Sequence, residues 1–338
     1  MMKKMYNVLL GLAAIVAMSF FVSCEGPAGP AGEDGVDGTN GETGVATCLE
    51  CHNTDNTILA IDAQFVQSGH RLGASVSYAG GRGACASCHS SEGFIEYATF
   101  GEVSAATINN PSAWECKTCH QIHTTFEVED YALRMSDPIE WNISDGTADL
   151  GGSANLCGNC HQSRTAEPNT AAPGTEFTIT STHYGPHHGP QANVFYGMGF
   201  AEIAGSVAYP APGEGKHKNA SCTMCHMGEY GDNMGGHSFT ANLASCQTCH
   251  STADFNYGGV QSAVEADLIV LRDKLIELGV VAGDDVDGYH PVTGTYPMVQ
   301  AQAYYNWVGL YEDRSNGVHN PKYVEALIAN TLEALNAK

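Results

Sequence analysis

Apolar side chains recur at helical spacing in the last part of the chain. One run places them three or four residues apart until Gly279 ends it. Two more helices are predicted, one from about Val299 to Tyr311 and one after Pro321, a residue suited to the first turn of a helix. The apolar and aromatic positions of the three helices are Val264, Leu268, Leu271, Leu275, Leu278, Tyr304, Tyr305, Trp307, Tyr323, Leu327, Leu332 and Leu335.

The first 23 residues have the pattern of an export signal. Lys3 and Lys4 precede an uncharged apolar run from Val8 to Phe21, which is short for a membrane span. Phe-Val-Ser-Cys at its end resembles a bacterial lipobox, which implies cleavage before Cys24 and a lipid on the Cys24 sulfur. Cleavage elsewhere and an uncleaved anchor remain alternatives. Because Glu25 is not the aspartate that retains lipoproteins at the inner membrane, we expect an outer-membrane lipoprotein, on the periplasmic face or at the cell surface.

A glycine recurs at every third position from 26 to 44, within the segment 24–46 that follows the signal. This is the Gly-X-Y period of collagen, in which only glycine fits at the axis of the triple helix. Six triplets predict a solvated tether, which at about 3.1 Å per residue would reach roughly 60 Å. A short trimeric stalk is the alternative.

Charge limits the possible partners. The 338 residues include 37 acidic and 14 basic side chains, for a net charge of −23. A nucleic-acid partner is excluded, because phosphate binding requires a basic surface. The charge is typical of a soluble, self-repelling protein that meets cations or basic partners, and solubility alone is the plainer interpretation.

Twelve of the thirteen cysteines form six Cys-x-x-Cys boxes, and a histidine directly follows every one. Zinc sites and redox disulfides also use paired cysteines, but neither needs that histidine. Cys-x-x-Cys-His is the attachment signature of c-type haem, with two thioether bonds and a proximal histidine. Six covalently bound haems c are therefore predicted. The thioether residues are Cys48, Cys51, Cys85, Cys88, Cys116, Cys119, Cys157, Cys160, Cys222, Cys225, Cys246 and Cys249, and the proximal ligands are His52, His89, His120, His161, His226 and His250.

The boxes define a hexahaem-binding region at 47–258, with residues 259–338 as helices that pack on the haem array in the same domain. We expect a mainly α, irregular, haem-packed fold with a C-terminal helical bundle and few strands. Since the haems would supply much of the core, folding should depend on their insertion.

Nine histidines lie outside the boxes, more than the six that bis-histidine ligation requires. His123, about one helical turn after His120, cannot reach the far side of the same haem, so it is predicted to bind a neighbouring one. His183, His187 and His188 in THYGPHHGP cannot be ranked by spacing, and His290 is expected to be structural. The candidate distal ligands are His70, His123, His183, His187, His188, His217, His237 and His319.

Several stretches around the boxes resemble exported multihaem cytochromes of the broad nitrite reductase and hydroxylamine oxidoreductase superfamily, most closely its electron-transfer members. The resemblance implies a helical, haem-packed fold, haems stacked in near-parallel and near-perpendicular pairs, and distal ligands at His123, His237 and His319. The chain lacks the lysine-ended box of the pentahaem nitrite reductases and has six boxes where hydroxylamine oxidoreductases have eight haems. The stretches that carry the resemblance are 85–97, 116–125, 130–134, 156–164, 182–191, 217–227, 235–239 and 315–323.

These features predict an electron carrier at the outer membrane, in extracellular or anaerobic respiratory electron transfer. Its partners would be redox proteins or cytochromes as donor and acceptor, and an extracellular mineral or metal is a further possible acceptor. The alternative is a reductase of nitrite, hydroxylamine or tetrathionate with one open haem, in which His183, His188, Tyr184 or Arg164 would line the pocket. A third interpretation is structural, with subunits stacked into a filament; trimerisation through the glycine repeat is also open.

Overall fold

In the described chain, the helices before residue 260 are short, and long helices follow it. The computed structural model describes residues 52, 57–126, 128–168, 175–228 and 236–337. The predictions for the signal segment, Cys24, the glycine repeat, Cys48 and Cys51 lie outside these residues. The α-helices are α1 Thr57–Phe65, α2 Gly69–Leu72, α3 Gly83–His89, α4 Ser91–Phe100, α5 Cys116–Cys119, α6 Ala154–Gly158, α7 Gln191–Tyr196, α8 Cys222–His226, α9 Leu243–Gln247, α10 Val260–Glu277, α11 Met298–Asp313 and α12 Pro321–Asn336.

The three helices expected from the C-terminal pattern are present, with ends close to those predicted. Helix α10 stops before Gly279, whose φ of +73° suits glycine. Helix α12 has proline in its first turn, and the Asn320 side chain caps it by accepting a hydrogen bond from the Tyr323 amide. Local signals therefore decide where these helices begin and end.

The largest apolar cluster joins the three long helices. It includes four predicted positions of α10, two buried tyrosines of α11 and Leu327 of α12, all less than one-tenth exposed. Burying a side chain of this size contributes about 1.5–3 kcal/mol relative to leaving it exposed. The residues of this group are Val264, Leu268, Leu271, Leu275, Tyr304, Tyr305 and Leu327.

Strands are few, as predicted, and in the described parts of the chain they form three two-stranded antiparallel sheets. Strand β1 (Ile139–Glu140) pairs with β2 (Thr147–Ala148), and a smaller apolar cluster that includes Trp141 packs around them. Strand β3 (Glu176–Ile179) pairs with β6 (Gly294–Pro297), which connects the middle of the chain to the C-terminal helices.

The remaining pair is a hairpin in which β4 (Val281–Asp284) pairs with β5 (Gly288–Pro291). Asp284 closes its turn by accepting hydrogen bonds from the amides of Val286 and Asp287. No helix among the residues that the structure describes is long and apolar enough to cross a membrane.

Candidate haem-binding sites

Five of the six Cys-x-x-Cys-His boxes lie in the described chain, and a short helix carries the start of each one. In α8, the Ser221 side chain caps the first turn by accepting from the Met224 amide, and Asn242 caps α9 in the same way. Residues three apart in a helix lie on the same face, so α3, α5 and α8, which contain both cysteines of their boxes, present them on one side. Helices α6 and α9 end one residue after the first cysteine of their boxes. In α8 and α9, the helical start of the box is therefore a local consequence of the capping residue.

Every box histidine stands opposite a second histidine from elsewhere in the chain. The six distances between ring centroids lie between 6.0 and 6.4 Å. The pairs are His52 with His123 (6.3 Å), His161 with His70 (6.1 Å), His89 with His187 (6.0 Å), His120 with His237 (6.4 Å), His250 with His217 (6.2 Å) and His226 with His319 (6.4 Å).

This separation fits two imidazoles on opposite sides of one iron. A metal–nitrogen bond of about 2 Å and a further distance of about 1.1 Å to each ring centroid would place the centroids about 6.2 Å apart. The angle between ring planes varies from 8° to 86°, which such ligation permits because each ring can turn about its own iron–nitrogen bond. The side chains present therefore fit haem iron with two axial histidines.

His123 faces His52, the histidine of the first box. The sequence places His123 about one helical turn after His120, but the structure has no helix there. Helix α5 ends at Cys119, and His120 has extended backbone angles rather than helical ones. His123 has a φ of +60°, in the left-handed region, and Phe126 stacks on its ring with centroids 5.3 Å apart. The chain therefore leaves the helix after Cys119, and a left-handed backbone conformation at His123 directs its ring towards His52.

The structure separates the three histidines that spacing could not rank. His187 faces the box histidine His89. His188 instead contacts Glu312, with its Nδ1 3.0 Å from a carboxylate oxygen. His183 faces no box histidine and lies with its ring centroid 6.3 Å from that of His290.

Hydrogen bonds orient several of the paired rings. A carbonyl oxygen can only accept, so an Nδ1 atom next to one must carry the proton, which leaves Nε2 as the free lone pair. Gln191 holds His161 through its side-chain oxygen at 3.1 Å. The carbonyl partners are Tyr131 for His120 (2.7 Å), Val318 for His217 (2.8 Å) and Phe239 for His226 (3.0 Å).

His319 and His89 have different surroundings. His319 has a carboxylate partner, since its Nδ1 lies 2.6 Å from Asp313 Oδ1. Nδ1 of His89 is buried and has no hydrogen-bond partner among the residues described. The electrostatic surroundings of the six pairs are therefore unequal.

Burial keeps several of these imidazoles in the neutral form that binds metal. Burial, assisted by His161, lowers the pKa of His70 to about 4. Burial also lowers the pKa of His187 to about 4, with smaller contributions from the Arg164 and His188 charges. His319 differs, because Asp313 outweighs burial and raises its pKa.

The boxes contact one another through their backbones and side chains. The Cys88 thiol lies 3.8 Å from the Asn159 carbonyl, and the Cys160 thiol lies 3.8 Å from the Ser87 carbonyl, so the second and fourth boxes meet. Other hydrogen bonds join neighbouring boxes or the residues that flank them. These are Ser153 with Thr223 (3.2 Å), Ser245 with Cys225 (3.0 Å) and Ser91 with Thr118 (2.6 Å).

Phe239, Gln191 and Asp313 support the paired rings, and the sequence reasoning did not single them out. The Phe239 ring lies 4.8 Å from His70 and 5.9 Å from His237, between centroids, while its carbonyl holds His226. These contacts are long-range, and no local spacing marks such residues. Among the described residues, no three histidine, cysteine or acidic side chains converge as a metal cluster would require.

The fold has a counterpart among solved structures. No protein-family model matches the chain, and no curated protein matches it. The outer cell wall cytochrome OcwA superposes with a TM-score of 0.53 and 17% identity, over 82% of this chain and 50% of that one. An undecaheme cytochrome from the S-layer of Carboxydothermus ferrireducens aligns over 82% of this chain and 40% of that one, with a TM-score of 0.38 and 17% identity. The chain spans half the length of OcwA, and its fold is similar to the fold of the matched half of that protein.

Proposed function

We propose that the protein is a hexahaem c-type cytochrome that carries electrons. The observation that carries this proposal is the pairing of every box histidine with a second histidine at 6.0–6.4 Å. Two histidine ligands on each iron leave no position for a substrate. Covalently bound haem supplies reversible one-electron chemistry, and the chain's cysteines and paired histidines would hold it.

The contacts between boxes support one connected array. The third box reaches the helix after the second box through Ser91 and Thr118, and the second box meets the fourth. The fourth box meets the fifth through Ser153, the fifth meets the sixth through Ser245, and His123 connects the third box to the first. We therefore propose that electrons pass along the series first, third, second, fourth, fifth, sixth.

The place of this carrier is proposed from the N-terminal sequence. A lipid on Cys24 and the glycine-rich segment 24–46 would tether the protein to the outer membrane. Electron donors and acceptors would be other cytochromes or redox proteins, and an extracellular mineral is a further acceptor by class. The net charge of −23 favours cationic groups at the points of contact.

No contact in the described chain favours the reductase alternative over the carrier. The pocket it requires would need a box histidine without a facing histidine, and each of the six has one. Of the residues named for that pocket, His183 faces His290 and His188 contacts Glu312.

Low-temperature electron paramagnetic resonance of the purified, oxidised protein tests the proposal, together with a haem count by pyridine haemochrome. We expect six haems per chain and low-spin ferric signals alone. A high-spin ferric signal worth about one haem in six would contradict the carrier function and would direct turnover assays to nitrite, hydroxylamine and tetrathionate.

A further inference from the structure

We propose that Asp313 makes the haem held by His226 and His319 the lowest in reduction potential of the array. This inference rests on the proposed function, because it concerns the tuning of one haem among six. The observation behind it is the hydrogen bond of 2.6 Å between His319 Nδ1 and Asp313 Oδ1.

The Asp313 carboxylate is held in place and kept away from water. Its side chain is 1% exposed, and the Ser315 hydroxyl donates to its second oxygen. Ser315 Oγ also accepts a hydrogen bond from the His319 amide at 3.3 Å, which fixes the loop between α11 and α12. The carboxylate therefore cannot turn towards solvent without the loss of both contacts.

A role in helix stability does not explain this carboxylate. Asp313 is the last residue of α11, where the helix dipole is negative and an acidic side chain is unfavourable. Burial adds a further cost, since an ionised carboxylate loses its hydration. Both effects disfavour an aspartate at this position. Its hydrogen bond to the His319 imidazole is therefore the better explanation for its presence.

The contact is unusual among the paired rings of the described chain. Four other paired rings contact a neutral oxygen through Nδ1, either a backbone carbonyl or the Gln191 amide. A carboxylate draws the Nδ1 proton more strongly, which gives the imidazole imidazolate character and makes Nε2 a stronger donor to iron. A stronger donor stabilises ferric over ferrous iron and lowers the reduction potential.

The charge of the carboxylate acts in the same direction. Adding an electron beside a buried negative charge is unfavourable, and the weak screening of the interior increases the effect. The surroundings of His89 are the opposite, because its buried Nδ1 has no acceptor among the residues described. The Arg164 guanidinium also lies 3.9 Å from the Cys85 thiol of the same box. The two pairs should therefore differ in potential, with the lower value at His319.

The test is a spectroelectrochemical titration of the purified holoprotein, wild type against Asp313→Asn. In the wild type, we expect the lowest-potential component to account for about one-sixth of the haem absorbance change. In Asp313→Asn this component should move to higher potential while the others stay in place. One low-spin paramagnetic resonance signal should change with it, since the ligand field of one iron has changed.

Glu312→Gln is the matched control, because Glu312 is the adjacent carboxylate and contacts His188, which faces no box histidine. It removes the same charge one residue away and should leave the lowest component unchanged. Ser315→Ala provides a second test if Asp313→Asn does not fold. Without the hydroxyl, the carboxylate should bind the His319 proton more strongly, so the same component should move to lower potential.

The inference and the proposed function fail in different ways. If six low-spin haems are present and Asp313→Asn leaves every midpoint unchanged, the role of Asp313 is wrong and the carrier function stands. An equal shift in Glu312→Gln would also overturn the inference, because it would reduce the effect to general charge. A haem count below six, or a high-spin wild type, would overturn the proposed function itself.

Discussion

At the residue scale, the position of a histidine relative to a box matters less than the backbone that carries it. His183, His187 and His188 fall within six residues, yet only His187 faces a box histidine. His187 has a φ of +80°, in the left-handed region that residues other than glycine seldom adopt. This backbone turn directs its ring inwards to His89, while His183 and His188 are exposed.

Replacing each of these three histidines by alanine tests the assignment. We expect His187→Ala to convert about one haem in six to high-spin iron, because the iron next to His89 loses its second ligand. His183→Ala and His188→Ala are the matched controls and should keep the low-spin spectrum. The same high-spin signal from either control, with none from His187→Ala, would show that the ring pairing is wrong.

At the scale of elements, the long C-terminal helices supply the main apolar core of the described chain. One face of α10 is buried against α11 and α12, and the opposite face carries exposed side chains, apolar ones included. The boxes, in contrast, lie on short helices with small apolar clusters nearby, such as the one around Trp141. The C-terminal helices should therefore contribute much of the stability that side-chain packing provides.

Two adjacent residues of α10 test this contribution. Leu275 is fully buried, whereas Ile276 is 39% exposed on the same helix. We expect Leu275→Ala to lower the free energy of unfolding by about 2–5 kcal/mol, because it leaves a cavity in the cluster. Ile276→Ala should cost about 0.5 kcal/mol, as is usual for a surface position. Urea denaturation of both holoproteins, followed by circular dichroism, measures the difference, and equal losses would contradict the packing described.

At the scale of the whole molecule, the proposed position at the membrane depends on the N-terminal segment. The net charge of −23 does not favour binding to an anionic membrane surface. The lipid predicted on Cys24 would then be the attachment, with the glycine repeat as a spacer. Membrane association should accordingly depend on one sulfur atom.

Cys24→Ser tests this attachment, with Ser23→Ala as a control that keeps a small residue before the cysteine. We expect the serine variant to leave the membrane fraction and to lose labelling by fatty acid, while the control retains both. Since Cys24 lies outside the boxes, the haem count should not change in either variant. A Cys24→Ser protein that remains in the membrane would show that another part of the chain anchors it.

The sequence alone determines the features that depend on neighbours along the chain. Haem attachment requires two cysteines and a histidine at fixed spacing, so the six boxes can be recognised in the sequence without a structure. The C-terminal helices can be predicted for the same reason. Helical periodicity, the glycine that ends α10 and the proline that begins α12 are all signals between residues close in sequence. The mainly helical fold with few strands follows from these local signals.

Only the tertiary structure decides which side chains meet across the chain. His70 faces His161, and Asp313 reaches His319 through a loop between two helices, and neither contact has a local signature. His123 shows the limit most clearly: its neighbours suggested a helical turn, and the structure has a left-handed residue instead. The physical reason is that the position of a facing ring is set by the packing of distant segments, whereas spacing constrains only the residues beside it.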